Sequence, residues 1–464
     1  MNNTIDFQET SLQNTGKEMY DLITELFPIC RSITGNGVRD TLDIIRNHIP
    51  LEIHEIPSGT NVFDWTVPKE WNIKDGYVKN SNGEKIIDFK KTNLHVLNYS
   101  MPINKKVSLK ELKEHIFTLP EYPKSIPYRT SYYEENWGFC MTYEEFDKLT
   151  DDEYEVVVSS TLENGHLTFG EYFLKGETDD EILLSCYVCH PSMANDNCSG
   201  IALLTFLAKY LSKKKLKYSY RFLFIPETIG AITWLYLNEK NVKKIQCGLV
   251  ATCLGDRGHL TYKKTRNDNT IIDKIVEEVL EESNEKYEIV DFFPYGSNER
   301  QFSSPGFNLF IGSLARTLYA RFPEYHTSAD NLDFVDSEHL HDSFEKYVKI
   351  ISKLEDACFE EEQSVQNKKN ENTDANENNL IFKTIIQKCE PNLGKRGLYD
   401  KIGGVPADPS NVLTPDDKIS LFWVLNFCDG KNNLLDISKR SKIKIENIKR
   451  ASEILMKKGL IEKI

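Results

Sequence analysis

Residues 183–200 read LLSCYVCHPSMANDNCSG, and this stretch decides the fold. Its opening is a short apolar run, which fits a fully buried strand. The run ends in His190. A short polar loop follows and carries Asp196, and from Ser199-Gly200 a new apolar pattern predicts a helix with Ile201, Leu204, Leu207, Ala208 and Leu211 inward. A rigid strand end followed by an open loop is where a sheet protein can hold ligand-binding side chains. Working outward, YRFLFIP, CGLVATCL and FNLFIGS repeat the strand signal, while NTIIDKIVEEVLEE and SEHLHDSFEKYVKIISKLEDACFEEE are amphipathic helices. Near-continuous apolar strands alternating with helices predict an α/β fold, a mainly parallel sheet with helices on both faces.

The bulk numbers narrow the classes of function. With 464 residues the chain is long enough for two or three domains, and 40% hydrophobic content supports sizeable cores. A net charge of −14 argues against a general nucleic-acid surface and against an anionic membrane surface. No run of 18 apolar residues occurs, so no membrane span is predicted. The N-terminus is polar without a signal-peptide core, and a cytoplasmic address is expected. Ten cysteines in a chain of this length are no disulfide framework, and Cys186, Cys189 and Cys198 in the central stretch are expected as buried thiols. Cys186-x-x-Cys189 has no second CxxC, which argues against a structural zinc knuckle.

Before the α/β region, KEMYDLITELFPIC predicts a helix with Met19, Leu22, Ile23 and Leu26 inward. Thr34-Gly35-Asn36-Gly37 reads as a turn, with a second helix starting at Asp40 or Thr41 and turning Leu42, Ile45 and Ile49 inward. Arg31 and Arg39 flank the turn and read either as surface arginines or as substrate anchors. From about 61 to 154, EKIIDF, NLHVLNYS and EYEVVVSS alternate apolar and polar residues between turn signals, predicting an inserted β-rich domain whose many aromatics form a packed core. The expected α/β domain is thus discontinuous, residues 1–60 and 155–360. Residues 361–379 are charged and Asn-rich, as a linker would be. Residues 380–464 have the helix-turn-helix rhythm of a winged helix, read as three helices and a terminal strand.

His190, Glu227 in FIPETIG, and Asp256 each fall just after a predicted strand, and His326 lies in the polar run EYHTSADNLDFV. A hydrolytic zinc site needs imidazole and carboxylate ligands, an open position and a carboxylate base. His190, Asp196 and His326 are the candidate metal ligands and Glu227 the candidate general base. Arg300 in GSNERQF and Arg316 in GSLARTLYARF are candidates to bind a substrate carboxylate, or else structural ion pairs. Asp330 and Asp333 are expected to cap a helix or support a ligand from behind.

The segments HPSMANDNCSG, PETIG and YHTSADNLDFV resemble the co-catalytic zinc aminopeptidases, the group with bacterial leucyl aminopeptidase and glutamate carboxypeptidase. Across nearly its whole length the chain resembles a bacterial family of aminopeptidase-like proteins named for polysaccharide biosynthesis, on PICRSITGNGVRDTL, PYGSNERQFSSPGFN and FPEYHTSADNLDFV. The resemblance implies a peptidase domain interrupted by a small domain and followed by a winged helix. It also implies one or two zinc ions, with His190 and His326 as ligands, Asp196 as the bridging aspartate and Glu227 as the base that activates metal-bound water. The chain departs from that pattern at three places. Thr228 stands where a second glutamate is usual, Ser192 where an orienting aspartate is usual, and Thr252 or Cys253 where a third aspartate ligand is usual. One ion held by His190, Asp196 and His326, or with Glu227 as a ligand itself, is therefore the preferred expectation. The leading reading is a metal-dependent hydrolase of amide or peptide bonds acting on a small substrate. The alternatives are a degenerate peptidase fold that binds a ligand or metal without turnover, and a winged-helix regulator. A homo-oligomer is a fair expectation.

Overall fold

The computed structural model describes residues 14–150, 152–359, 380–399, 403 and 417–464, so the expected linker at 361–379 lies outside the described residues. An eight-stranded sheet organises the chain. Its order is Glu52–Pro57, His166–Leu174, Ser219–Ile225, Glu181–Tyr187, Ile245–Ala251, Ile311–Ala315, Leu260–Lys263 and Tyr287–Val290. The four central strands, from Ser219–Ile225 to Ile311–Ala315, run parallel, and antiparallel pairs appear only toward the edges. The expected mainly parallel α/β sheet with helices on both faces is what the chain forms.

The central strand Glu181–Tyr187 is buried along its whole length, yet its side chains still alternate. Leu184 and Cys186 join one core with the helices Thr15–Leu26, Gly200–Leu211, Ile271–Glu282 and Ser337–Asp356. Leu183 and Tyr187 join the opposite core with Ile229, Ile232 and Trp234. Met19, Leu22, Ile23 and Leu26 are buried in the first core as their spacing predicts. Gly200 lets its helix lie directly on the sheet, because a Cβ there would sit 2.4 Å from the Ala251 carbonyl oxygen.

The second helix starts earlier than expected, at Asn36 rather than Asp40 or Thr41. The cause is non-local. Gly35 takes φ 96°, which favours glycine, and the Asn36 N–H donates to Asn72 Oδ1 at 2.7 Å across the chain. Arg39 on this helix is neither a free surface cation nor a substrate anchor. Its guanidinium donates to Glu55 Oε1 at 2.7 Å and to both Glu70 oxygens at 2.8 and 2.7 Å. Glu70 also accepts from His166 N and Asn72 Nδ2. The Arg39 hydrogen bonds, against the opposing effect of burial, hold the Glu70 carboxyl down to about 2, below its ordinary 4.5. A depressed folded-state pKa contributes stability that is whole above pH 4.5 and is lost as pH falls toward 2. Discounted for solvent screening of this partly exposed pair, the expected contribution is about 1–2 kcal/mol. Thermal midpoints of Glu70→Gln and wild type should therefore differ at pH 7 and converge as pH falls through that window.

Between the first edge strand and the main sheet, the chain builds a four-stranded antiparallel sheet from Glu70–Lys79, Lys85–Asp88, Ile103–Ser108 and Glu153–Glu163. The last of these crosses the expected boundary at 154. NLHVLNYS is not a strand: it holds a short 3₁₀ turn at Asn93–His95 capped by the Thr92 side chain. At the C-terminal end, helices Asp417–Phe427, Leu434–Ser441 and Ile445–Lys457 pack with the strand Ile461–Lys463. Two strands that the sequence reading missed, Ile381–Thr384 and Asp429–Asn433, complete its three-stranded sheet. This unit shares one hydrophobic core with the main domain, where Phe292, Phe293 and Tyr319 meet Phe422, Trp423 and Phe427.

Candidate metal centre

The central parallel strands end at the site. Val188 still donates to Ile225 O at 3.0 Å; His190 follows two residues later. Arg31 braces it from beneath. Its Nε donates to His190 O at 2.9 Å, one terminal nitrogen to Leu26 O at 2.6 Å and the other to Cys198 Sγ at 2.9 Å, with the residue only 1% exposed. Arg31 is thus a buried structural brace rather than a surface arginine or a substrate anchor. Cys189 Sγ lies 3.4 Å from His190 Nδ1, which leaves Nε2 to face the carboxylates. Burial pushes His190 down to about 4, so the ring is neutral at pH 7, the state a metal ligand requires.

Asp196 sits in the loop between strand and helix, fully buried, and the Asp196–Asn197 peptide is cis. Asp330 holds this loop from behind, accepting from Asn195 N at 2.7 Å and Asp196 N at 2.9 Å. That is the supporting role expected of it. Asp333, by contrast, is exposed. The two oxygens of Asp196 have different partners. Oδ1 accepts from the Tyr187 hydroxyl, which also lies 2.6 Å from Thr252 Oγ1. Oδ2 lies 3.0 Å from His326 Nε2.

His326 arrives from a separate loop with φ 54°, a left-handed backbone. Its carbonyl accepts from Tyr128 N at 2.8 Å, and its ring stacks on Tyr325 with centroids 3.9 Å apart. Tyr128 belongs to the inserted module. Its ring lies 5.3 Å from that of His190 and 5.2 Å from that of His326, and its hydroxyl bonds that of Tyr132. The site is therefore walled on one side by residues that the sequence reading assigned to a packed core. Only the density of tyrosines at 128–133 signalled them.

Glu227 follows the strand Ser219–Ile225, with Oε2 3.9 Å from His190 Nε2. Its side chain keeps 28% exposure and is open to a ligand. Burial, then the nearby Asp196 carboxylate, pushes its carboxyl up to about 8. At that value the carboxyl is mostly protonated at pH 7, and a cation held by the neighbouring side chains would lower it toward the carboxylate form that a general base requires.

The chain thus brings His190, Asp196, His326 and Glu227 together. It does not bring Arg316 to them. Arg316 is spent on Gly258 O, His339 O and the Asp342 carboxylate, a structural brace between a loop and the helix Ser337–Asp356. Arg300 lies beside the site, but one terminal nitrogen bonds Glu390 and the other Thr228 Oγ1 at 3.2 Å. Neither arginine presents a free fork for a substrate carboxylate. Asp256 is turned away, accepting from Gly258, Thr317 and Asn195.

The donor set fits one cation. Ligand atoms of His190, Asp196 and His326 all lie within 4.8 Å of one another. Asp196 Oδ2 and both His326 ring nitrogens are buried without a hydrogen-bond partner among the described residues. The 3.0 Å approach of Asp196 Oδ2 to His326 Nε2 is not aligned as a hydrogen bond, which is how two ligands converging on a common centre sit. Two imidazoles and a carboxylate oxygen suit zinc.

Residues 20–357 match the model of a family described as a domain of unknown function, DUF4910, and residues 380–463 match a winged helix-turn-helix family. A Clostridium acetobutylicum protein named for polysaccharide biosynthesis and an aminopeptidase-like domain is 55% identical over 448 residues, 97% of this chain and 96% of that one. A crystal structure from the same organism is 53% identical, with a TM-score of 0.73 and 98% of each chain covered. BSAP, a zinc aminopeptidase from Bacillus subtilis, shares the fold at 12% identity, with a TM-score of 0.55 over 74% of this chain and 95% of that one. The chain therefore belongs to the DUF4910 family, as an aminopeptidase-like member with a C-terminal winged helix.

Proposed function

We propose that the protein is a metal-dependent hydrolase of amide or peptide bonds with aminopeptidase-like chemistry. The observation that carries this reading is the convergence of His190, Asp196 and His326 on one point beside the open carboxyl of Glu227. Zinc, when bound there, would supply Lewis acidity toward a carbonyl oxygen and lower the pKa of water. His190 Nε2, His326 Nε2 and Asp196 Oδ2 would hold it. Glu227 takes a proton from the attacking water and returns it to the leaving amine. Tyr128 and Tyr325 pack against the ligand rings and keep bulk water from them.

One ion is favoured over two, because Asp196 Oδ1 is already engaged by Tyr187, and Thr252 and Thr228 offer no carboxylate nearby. The same observation favours the second reading, a fold kept for binding a metal or ligand without turnover. Elemental analysis of the full chain after zinc loading separates these. The expected result is about one zinc per chain, falling to near zero in His190→Ala and His326→Ala. Absence of bound metal in wild type would remove the hydrolase mechanism. Zinc bound without turnover on a panel of aminoacyl and peptidyl amides would favour the binding reading.

A further inference from the structure

Glu227 is followed by an unusual turn. Thr228 adopts φ 61° and ψ −76°, a positive-φ γ-turn conformation that a β-branched residue rarely takes. Such a conformation persists only where its surroundings over-determine it. Here the restraints are specific. The Thr228 N–H donates to Asn298 Oδ1 at 2.9 Å, and Thr228 Oγ1 accepts from Arg300 at 3.2 Å. Ile229 N donates to Glu227 O at 2.7 Å, so the turn directly sets where the Glu227 side chain leaves the backbone.

Arg300 is in turn fixed from the C-terminal unit. Its other terminal nitrogen bonds the Glu390 carboxylate, and the pair is nearly buried, at 9% and 11% side-chain exposure. The segment around Glu390 is a strap tied on both sides. Toward the short helix Glu299–Phe302, Cys389 N donates to Ser304 Oγ and Glu390 N to Gln301 Oε1, both at 2.9 Å. On the opposite side, Trp65 Nε1 donates to Glu390 O at 2.7 Å. Asn392 N donates to Asp64 Oδ2 at 2.8 Å, and Lys395 and Arg396 pair with the same aspartate.

We propose that Glu390 is a positioning residue for Glu227, acting through Arg300 and the strained Thr228 turn, so that the C-terminal unit completes the hydrolytic site. The role of Glu227 rests on the reading above; the coupling between Glu390 and the turn does not. Removing Glu390 leaves Arg300 as a buried cation without its anion, free to leave Thr228 and reorient. The turn then loses one of its two side-chain restraints, and the positive φ relaxes.

The test is backbone hydrogen exchange of the full chain, read on peptides covering 224–232, in wild type, Glu390→Ala and Arg300→Lys, each alone and in a Thr228→Gly background. Glycine tolerates the turn without strain and lacks the hydroxyl that Arg300 holds. Exchange at 228–230 should rise roughly tenfold in Glu390→Ala and in Arg300→Lys. In the Thr228→Gly background the same changes should matter less than about twofold, the non-additivity expected of a shared path. Should Glu390→Ala fail to fold, Glu390→Gln replaces it, with a smaller rise expected in the same peptide. Exchange that rises only at 299–304 and 386–396 would overturn the proposal, as would equal effects in both backgrounds. Because this readout needs no turnover, a failure of the hydrolase reading shows separately, as absent metal or absent amide cleavage.

Discussion

Under the proposed hydrolase mechanism, Glu227→Gln is expected to lower amide hydrolysis by about 10²–10⁴-fold while leaving the zinc content unchanged. The substitution keeps size and hydrogen-bonding reach but removes the proton acceptor. Its effect on the metal site should be small, since Glu227 Oε2 stands 3.9 Å from His190 Nε2 and the three convergent ligand atoms belong to other residues. The result is read as kcat and kcat/KM on the amide panel beside elemental analysis of the same preparation. A loss in kcat with metal retained assigns the proton shuttle to Glu227. Unchanged turnover would assign it elsewhere, and loss of metal would make Glu227 a ligand instead.

The largest effect on stability is expected at Lys263 and Glu299. Both side chains are 0% exposed. The ammonium donates to Glu299 Oε1 at 2.7 Å, Tyr295 O at 2.8 Å and Tyr319 Oη at 3.0 Å, and lies 3.8 Å from the centre of the Phe293 ring. Burial pulls the lysine down to about 8, against the attraction of Glu299. Removing one member strands the other charge in the interior, at a cost of about 3–5 kcal/mol, whereas replacing both with apolar residues of similar volume is often near neutral. Glu299→Ala should therefore lower the urea midpoint markedly, and Lys263→Met with Glu299→Leu should recover most of the loss. Equal midpoints in the single and double variants would mean that desolvation does not dominate this pair.

Three of the four candidate site residues were legible because each stands where a strong local signal stops. His190 and Glu227 follow largely apolar, buried strands, and Asp196 precedes the Ser-Gly that opens a helix packed on the sheet; His326 stands in a polar loop and was read from its residue type alone. Tyr187 was hidden for the opposite reason. Within a buried strand a tyrosine reads as core, and its hydroxyl acquires meaning only when the strand lies beside Thr252. Arg31, Tyr128 and Glu390 were equally illegible, since each acts on residues about 90 to 200 positions away. The start of the second helix was misplaced on the same account, because Asn72 and the backbone of Gly35 fix it across a long loop.

The pairing of residues 126–128 with 326–328, and the docking of Glu390 between Trp65 and Gln301, bear on how such a protein can change over time. A peptidase domain with loosely tethered appendages could exchange them as cassettes, acquiring a new insertion or tail by recombination without disturbing its chemistry. Here neither appendage is a passenger. A foreign insertion would arrive without the tyrosine that faces both histidines, and a foreign tail without the carboxylate that Arg300 requires. The three segments are therefore expected to be inherited together, with substitutions at 300 and 390 compensating one another and position 128 held by the two histidines it faces.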